Sequence, residues 1–286
     1  MSGILYLCAT PIGNLGDVSA RCLEILNLVD MIAAEDTRRT LQLLNHFGIS
    51  KPLTSYHEHN KAEKGEYIVR LLLEGKNVAQ VSDAGTPAIS DPGEDLVRLC
   101  IENQITVTSV PGPVAGINAL ILSGLSTARY AFEGFLSVNK RHRNEHLESV
   151  KNDSRTLIFY EAPHKLRNTL ADMERYFGAD RKIAIARELT KLHEEILRLT
   201  IHEAVAYYAE NNPRGEYVLV VEGAKEPEPN PEEVWWQNYS IREHVDKYIA
   251  DGDSSKDAIK KAALDRDLPK REVYNEYHCK GKDEPS

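Results

Sequence analysis

Apolar positions in residues 1–124 follow two alternating spacings. Short apolar runs, typical of strands buried on both faces, alternate with stretches in which apolar residues recur every three or four positions, as in an amphipathic helix. The runs predict strands at 4–9, 31–35, 53–56, 77–81 and 106–110. The helical spacing predicts helices at 19–28, 37–47 and 61–73, and one each after Pro92 and Pro113. This strand–helix alternation predicts an α/β domain whose parallel sheet is covered on both faces.

Residues 125–224 have a different pattern. Strand-like runs occur at 130–135, 156–160, 183–187, 196–199 and 217–221, but helical spacing occurs only at 164–176 and 201–211. Because helices separate only some of these strands, we expect a second α/β domain with a mixed sheet. We expect the boundary between the two domains, 1–124 and 125–224, at Gly124-Leu125-Ser126.

The chain after residue 224 predicts a linker and a small helical domain. Residues 225–232 are rich in Pro and Glu, which favours an extended, solvated linker. Three short helices at 241–250, 257–264 and 270–278 predict a helical domain at 233–286, with residues 280–286 disordered. Short helices joined by tight turns are typical of helix-turn-helix modules, although a packing or dimer-stabilising appendage is an equal alternative.

Composition narrows the class of protein. Hydrophobic residues make up 42% and charged residues 28% of 286, which is ordinary for a soluble globular protein. The net charge of −9 argues against a purely electrostatic nucleic-acid binder. The four cysteines form no CxxC pair, so we expect neither a zinc site nor a disulfide framework, and a cytoplasmic location. The apolar run at 4–10 is too short to span a membrane, and no basic residue precedes it as in a signal peptide.

Residues 81–93, with the sequence VSDAGTPAISDPG, are the strongest candidate for a functional loop. They follow a predicted buried strand and precede a helix, so they lie at the carboxyl end of a parallel strand, where open α/β sheets bind ligands. Asp91 suits a helix N-cap and Pro92 the first helical position. An ordinary strand-to-helix turn is an equal alternative. The dinucleotide-binding pattern G-x-G-x-x-G is absent from the sequence.

Five segments of the chain resemble the tetrapyrrole methylase family. They are ATPIGNLGD at 9–17, AEDTR at 34–38, the thirteen-residue loop at 81–93, VPGP at 110–113 and FYEAPH at 159–164. Within that family, the chain most resembles enzymes that methylate a cytidine 2′-oxygen in 16S ribosomal RNA of the small subunit. It departs from the family pattern at Val114, where Ser is expected, and at Lys165, where Arg is expected; Pro is usual where Ser126 and Ser137 stand.

The resemblance implies a homodimer that binds S-adenosylmethionine, without a metal, in a cleft between the two α/β domains. Backbone groups are expected to hold the cofactor, which suits loops rich in Gly, Pro and Ala. The residues implied around it are Pro11, Asp83, Thr86, Pro113, Val114, Tyr160, Ala186 and Tyr217. Asp83 could offer negative potential to the ammonium or sulfonium group, although a capped turn is the alternative.

Methyl transfer to a hydroxyl requires an aligned acceptor and is helped by a general base. Near the expected cleft, the resemblance suggests Asp36, Glu161 and His164 as catalytic residues, and Glu188 and Lys191 are further candidates. The sequence does not choose among these five side chains.

RNA contact requires basic groups despite the acidic total charge. The candidates are Arg38, Arg39, Lys140, Arg141, Arg143 and Lys165. An ordinary solvated face is an equal alternative for them. Two other functions stay open: a small-molecule methyltransferase acting on a tetrapyrrole or corrin, and a non-catalytic RNA-binding protein. The loop 82–93 lacks the aromatic residues usual in tetrapyrrole-methylating relatives, which favours RNA as the substrate.

Overall fold

The computed structural model describes residues 2–225 and 235–278. The chain divides into two compact units, with the division between Ala224 and Lys225. The first unit contains two five-stranded sheets, and the second is helical. No helix among the described residues is both long and apolar enough to cross a lipid bilayer.

The first sheet is parallel throughout, as predicted. Its strands are β1 Ile4–Cys8, β2 Met31–Ala34, β3 Leu53–Ser55, β4 Val78–Val81 and β5 Thr106–Val110. Its helices are α1 Ala20–Leu28, α2 Thr37–His46, α3 Lys61–Leu73, α4 Gly93–Glu102 and α5 Ala115–Ser123. The strand order is β3-β2-β4-β1-β5, and every neighbouring pair is parallel. All four residues of β4 are buried at the centre of this sheet, so the loop after β4 starts from a rigid base.

The second sheet is mixed, again as predicted. Its strands are β6 Tyr130–Phe135, β7 Thr156–Glu161, β8 Lys182–Arg187, β9 Glu195–Thr200 and β10 Tyr217–Val221. Its helices are α6 Lys140–Val150, α7 Leu166–Phe177 and α8 Ile201–Glu210. The order is β6-β7-β10-β8-β9, and only the β6–β7 pair is parallel.

Helix α6 was not predicted from the sequence. Leu147 is its single buried residue, so the helix offers no repeating apolar position for a periodicity argument to detect. Asn139 caps its first turn, where the side-chain oxygen accepts hydrogen bonds from the backbone N–H groups of Arg141 and His142. The basic run at 140–143 therefore forms the first turn of a helix, not an irregular connection.

Helix α5 joins the two sheets. Its residues Ala119 and Leu120 are buried in an apolar cluster with Ile158, Ala184 and Val218 of the second sheet. The helix closely follows β5 of the first sheet, so this short segment holds the second sheet at a fixed distance from the first. The domain boundary predicted near residue 124 stays a prediction. The two sheets together form one compact unit, which extends to Ala224.

The described residues of the second unit, 225 and 235–278, contain three α-helices, α9 Ile241–Ala250, α10 Ser255–Asp265 and α11 Lys270–His278. Val245, Ile259 and Val273, one from each helix, share a small apolar core. His244 is fully buried and stacks on Trp236, and burial lowers the pKa of its imidazole. Apart from Lys225, the predicted linker at 225–232 lies outside the described residues, as does the predicted tail at 280–286.

Candidate functional site

A cavity of about 550 Å³, here called the main cavity, lies between the carboxyl-end loops of the first sheet and the face of the second. Small-molecule sites commonly have volumes of roughly 300–1,000 Å³. Six of the eight residues expected around a cofactor line it, namely Asp83, Thr86, Val114, Tyr160, Ala186 and Tyr217. Pro113 does not line the main cavity, but its carbonyl oxygen accepts a hydrogen bond of 3.0 Å from the hydroxyl of Thr86, which does. Pro11 lines a smaller, neighbouring cavity.

The loop after β4 is held in an unusual backbone conformation. Gly85, Ala88 and Ser90 all have positive φ, at 83°, 67° and 62°, and only the first of these is a glycine. Residues with a side chain adopt this region rarely, and such strain clusters at functional sites. Asp91 stabilises this loop conformation, because its Oδ1 accepts hydrogen bonds from the backbone N–H of Ala88 at 3.0 Å and of Gly93 at 2.7 Å.

The start of α4 differs by one residue from the sequence prediction. Pro92 is the N-cap and Gly93 the first helical residue, whereas the sequence suggested Asp91 and Pro92 for these positions. Asp91 still accepts the N–H of Gly93, but it also folds back to bind the loop. The side chain therefore orders the loop as well as the helix.

Acidic side chains dominate the charge of the main cavity. Among the described residues, its lining contains one cation, Arg39, and five carboxylate groups, those of Glu35, Asp83, Asp91, Glu161 and Glu216. Charges in a concave, partly dry site interact more strongly than they do in water. The main cavity is therefore suited to a ligand that carries positive charge.

Asp83 both holds a turn and lines the main cavity. Its Oδ1 accepts the backbone N–H of Asp36 at 2.9 Å, which ties the β2–α2 turn to the loop after β4. Its Oδ2 lies 3.3 Å from Nη1 of Arg39. The carboxylate thus holds a turn and also faces the main cavity.

Glu35 lines the main cavity, whereas the sequence analysis named its neighbour Asp36 as the catalytic candidate. Burial, followed by the charges of Asp83 and Asp91, raises the pKa of the Glu35 carboxyl. Perturbed carboxyl groups of this kind are frequent at catalytic sites. Its position at the end of the strand-like run 31–35 was the available sequence signal, because strand ends border the site.

Two of the three predicted catalytic residues do not line the main cavity. Asp36 is the N-cap of α2, and its hydrogen bonds with the Arg38 guanidinium lower its pKa to about 2. Arg38 itself is 87% exposed. His164 is exposed in the turn between β7 and α7.

Glu161, the third, lines the main cavity but is only 3% exposed. One oxygen lies 2.9 Å from Nζ of Lys165 and accepts the N–H of Ala162, and the other accepts the Thr169 hydroxyl. Lys165 also donates to the Leu136 carbonyl oxygen at 3.3 Å. These contacts fix the turn between β7 and α7, so Glu161 and Lys165 have a structural function whatever else they do.

Glu188, Lys191 and Glu216 form an ion-paired cluster at the rim of the main cavity. The Lys191 ammonium lies 2.9 Å from the Glu188 carboxylate and 2.8 Å from that of Glu216. The hydrogen bond from Lys191 lowers the pKa of Glu188. Burial opposes the charge of Lys191, but its two hydrogen bonds outweigh burial and raise its pKa. Both groups are therefore charged at neutral pH, and neither is suited to act as a general base.

The three basic residues of α6 have different surroundings. Arg143 lies 2.7 Å from Asp172 of α7, and both side chains are largely buried, so this ion pair joins two helices. Arg141 is exposed and pairs with Glu145 one turn later, and Lys140 is exposed at the first position of the helix. Lys140 and Arg141 are thus available to a large partner, whereas Arg143 faces inward.

Metal binding has no evident site in the part of the chain that the structure describes. No group of three or more His, Cys, Asp or Glu side chains is arranged there to hold a metal ion.

Comparison with known proteins links the fold to a family. The family model described as Tetrapyrrole (Corrin/Porphyrin) Methylases matches residues 5–205. A protein of Bacillus subtilis named Ribosomal RNA small subunit methyltransferase I is 50% identical over 97% of this chain and 95% of its own length. A protein of the same name from Halalkalibacterium halodurans is 52% identical over 96% of this chain and 95% of its length.

Solved structures with the same fold have much lower identity. Uroporphyrin-III-C-methyltransferase from Thermus thermophilus matches 77% of this chain and 94% of its own, with a TM-score of 0.56 and 17% identity. The methyltransferase CobJ matches 80% of this chain and 98% of its own, with a TM-score of 0.59 and 17% identity. These likenesses support the fold, and the match over residues 5–205 together with the near full-length relatives shows that the chain belongs to the tetrapyrrole methylase family.

Proposed function

We propose that this protein transfers a methyl group from S-adenosylmethionine to the 2′-hydroxyl of a cytidine in 16S ribosomal RNA of the small subunit. The observation that carries the proposal is the 50% identity, over 97% of the chain, with a relative named Ribosomal RNA small subunit methyltransferase I. We place the reaction in the cytoplasm, where small subunits are assembled.

The main cavity fits this cofactor in size and in charge. Its volume of about 550 Å³ suits a small ligand, and its carboxylate-rich lining favours a ligand with ammonium and sulfonium groups. The residues that would hold the cofactor are Asp83, Thr86, Val114, Tyr160, Ala186 and Tyr217. When bound, S-adenosylmethionine supplies a methyl group on a positively charged sulfur, which makes that carbon electrophilic.

Glu35 is our proposed acceptor for the hydroxyl proton. A general base works best when its pKa lies near the working pH, and burial moves the pKa of Glu35 in that direction. The pKa of Asp36, at about 2, makes that carboxylate a much weaker base. The two neighbours therefore have different proposed functions, Glu35 in proton transfer and Asp36 in capping α2.

Aromatic groups bound the other side of the main cavity. The ring centroids of Phe135 and Tyr160 are 5.5 Å apart, and the Tyr160 hydroxyl accepts the backbone N–H of Gly116 at 3.1 Å. This hydrogen bond fixes the first turn of α5 next to the site. We propose that these rings exclude water from the reacting groups and hold the acceptor in line, which can supply much of the rate acceleration.

The decisive experiment is methyl transfer to isolated small ribosomal subunits that lack the modification. We expect one labelled methyl group per subunit, located on a ribose 2′-oxygen of a cytidine, also when the protein has been treated with a metal chelator that is removed before the subunits are added. A porphyrinogen offered in parallel should remain unmethylated. Labelling of the porphyrinogen but not of the subunit would instead favour the small-molecule alternative, and labelling of neither would favour non-catalytic RNA binding.

We also propose that the protein is a homodimer. An exposed apolar surface supports this: Ile117 and Ile121 are one turn apart on α5, and Phe132 of the edge strand β6 lies beside them, against Gly116. Exposed apolar patches commonly mark protein interfaces. Light scattering should give twice the chain mass, and Ile121→Arg should shift the mass to that of one chain. A wild-type protein that is strictly monomeric and fully active would contradict the proposal.

A further inference from the structure

A second cavity of about 440 Å³, here called the side cavity, adjoins the main cavity. The two share the residues of their common wall, which are Ile12, Arg39, Ser82, Asp83, Ala84 and Glu216. The other walls of the side cavity come from the loop after β1, from one face of α2 and from Lys191. A molecule in the side cavity would therefore contact the same loop after β4 that borders the main cavity.

Two cationic side chains in the side cavity retain hydrogen-bond donors. Arg39 is 65% exposed and lies 3.3 Å from the Asp83 carboxylate. Because a guanidinium carries five N–H donors, this ion pair leaves donors for a ligand. The Lys191 ammonium has three N–H donors, of which Glu188 and Glu216 take two. The side cavity thus offers an anionic group one cation on α2 and one on the loop after β8, beside the carboxylates of Asp83 and Glu216 that line the same cavity.

Apolar side chains line part of the same cavity. Pro11, Ile12, Leu15 and Leu43 all line the side cavity, and Leu15 is 41% exposed although it is a large apolar residue. A cavity that offers both apolar side chains and cations suits a nucleotide, whose base is largely apolar on its faces and whose neighbouring phosphates are anionic. The volume is also within the range of small-molecule sites, roughly 300–1,000 Å³.

The position of Lys191 depends on a glycine. A Cβ atom added at Gly13 would lie only 2.4 Å from Cγ of Lys191, so the aliphatic stem of the lysine lies directly over this residue. Glu188 and Thr190 on the same loop have positive φ, at 52° and 64°, a conformation that residues with side chains adopt rarely. This strained backbone conformation occurs in the loop that places the Lys191 side chain across the loop after β1.

We propose that the side cavity binds the acceptor nucleotide of the RNA, with Arg39 and Lys191 contacting the phosphates on either side of it. The inference rests on the proposed function, because it assigns the acceptor end of the same reaction. The common wall formed by Ser82, Asp83 and Ala84 is then where the ribose meets the main cavity. Lys191 is a binding residue in this assignment and takes no proton.

The test replaces the Lys191 charge and keeps its stem. In the full-length protein, Lys191→Met should raise the KM for small subunits roughly tenfold, about 1.4 kcal/mol, since it removes a charged hydrogen-bond donor to a phosphate. Its S-adenosylmethionine affinity should not fall, because Glu216, which lines the main cavity, keeps its negative charge. Gly13→Ala should raise the KM as well, because it displaces Lys191 without removing the charge. The matched control is Lys76→Met, an exposed lysine paired with Glu74 just before the amino end of β4, and its KM should not change.

A second measurement separates this inference from the proposed function. Cytidine 3′,5′-bisphosphate, which carries a phosphate on each side of one nucleoside, should bind wild type in calorimetry and bind Lys191→Met at least tenfold more weakly. If the wild type methylates subunits but both measurements are unchanged in Lys191→Met, the assignment of the side cavity is overturned while the proposed function stands. If the wild type methylates no RNA, the proposed function fails, and the bisphosphate titration then decides the side cavity by itself.

Discussion

Glu35 and Asp36 are adjacent acidic residues with opposite electrostatic surroundings. The guanidinium of Arg38 lowers the pKa of Asp36 to about 2, whereas burial and two nearby carboxylates raise the pKa of Glu35. A difference of this kind between neighbouring acids commonly separates a structural carboxylate from a catalytic one. Residue type alone could not separate them, because the raised pKa of Glu35 depends on burial and on Asp83 and Asp91, which are distant in sequence.

The first prediction concerns Glu35→Gln and the dependence of stability on pH. A carboxyl whose pKa is raised by folding opposes folding once it ionises, so its cost appears as the pH rises through the folded pKa. The variant should therefore be more stable than wild type near pH 7, and the difference should vanish near pH 4, where the wild-type side chain is also neutral. Urea unfolding at the two pH values measures this, and equal differences at both would refute it. The same variant should lose roughly a hundredfold in kcat if Glu35 takes the proton.

The second prediction concerns Asp83→Asn, which removes the charge and keeps an acceptor for the backbone N–H of Asp36. We expect S-adenosylmethionine to bind roughly tenfold more weakly, because the negative potential of the main cavity falls while the turn is retained. Calorimetry measures the affinity, and circular dichroism checks the fold. Asp36→Asn is the matched control, since Asn also caps helices well and Asp36 does not line the main cavity. Equal affinity in both variants would remove Asp83 from the cofactor site.

At the scale of elements, helix α6 shows that neighbouring basic residues can have different functions. Its first turn carries Lys140 and Arg141, although the positive end of a helix dipole disfavours cations there. Arg143, two residues later, is used to hold α6 against α7 through Asp172. A basic run that looks uniform in sequence therefore consists of two exposed cations and one structural cation.

The third prediction follows from that division. Replacing Lys140 and Arg141 together by Ala should weaken binding to small subunits and reduce the slope of affinity against salt by about one unit per lost phosphate contact. Cofactor affinity and thermal stability should stay near wild type. Arg143→Ala is the contrasting variant, because it leaves Asp172 without its partner and should destabilise the fold by about 3 kcal/mol. Superimposed salt curves for the double variant and wild type would identify this face as merely solvated.

At the scale of the whole molecule, the two compact units have separate apolar cores. The second unit is built around Val245, Ile259 and Val273, and the cores of the two sheets consist of residues before 224. Units with separate cores can in principle fold independently. The helical unit therefore need not support the main cavity.

The fourth prediction is that a chain ending at Ala224 unfolds cooperatively and binds S-adenosylmethionine with wild-type affinity. Its methylation of small subunits should fall if the helical unit contacts RNA, and its mass in light scattering should halve if that unit stabilises a dimer. Thermal unfolding and calorimetry test the first statement. An aggregated or non-binding product would show that the helical unit is part of the cofactor-binding fold.

Most of the secondary structure could be predicted from the sequence, because it depends on local chemistry. Strands 106–110, 130–135 and 217–221 have the predicted bounds. The clearest case is 217–221, which is a continuous apolar run and is buried throughout. Ser19 and Ser240 cap their helices through side-chain hydrogen bonds to the third following residue, a signal present in the sequence itself. Helix α6 could not be predicted from apolar spacing, because Leu147 is its single buried residue.

The sequence by itself determined the order of elements, the parallel and mixed sheets and the position of the loop after β4, because spacing and turn residues act over a few positions. Only the tertiary structure decided which side chains share a cavity. It brought Glu35 beside Asp83, placed Lys191 over Gly13 and turned Arg143 inward. The physical reason is that burial, ion pairing and pKa depend on neighbours from distant segments, and those neighbours are defined only when the sheets pack together.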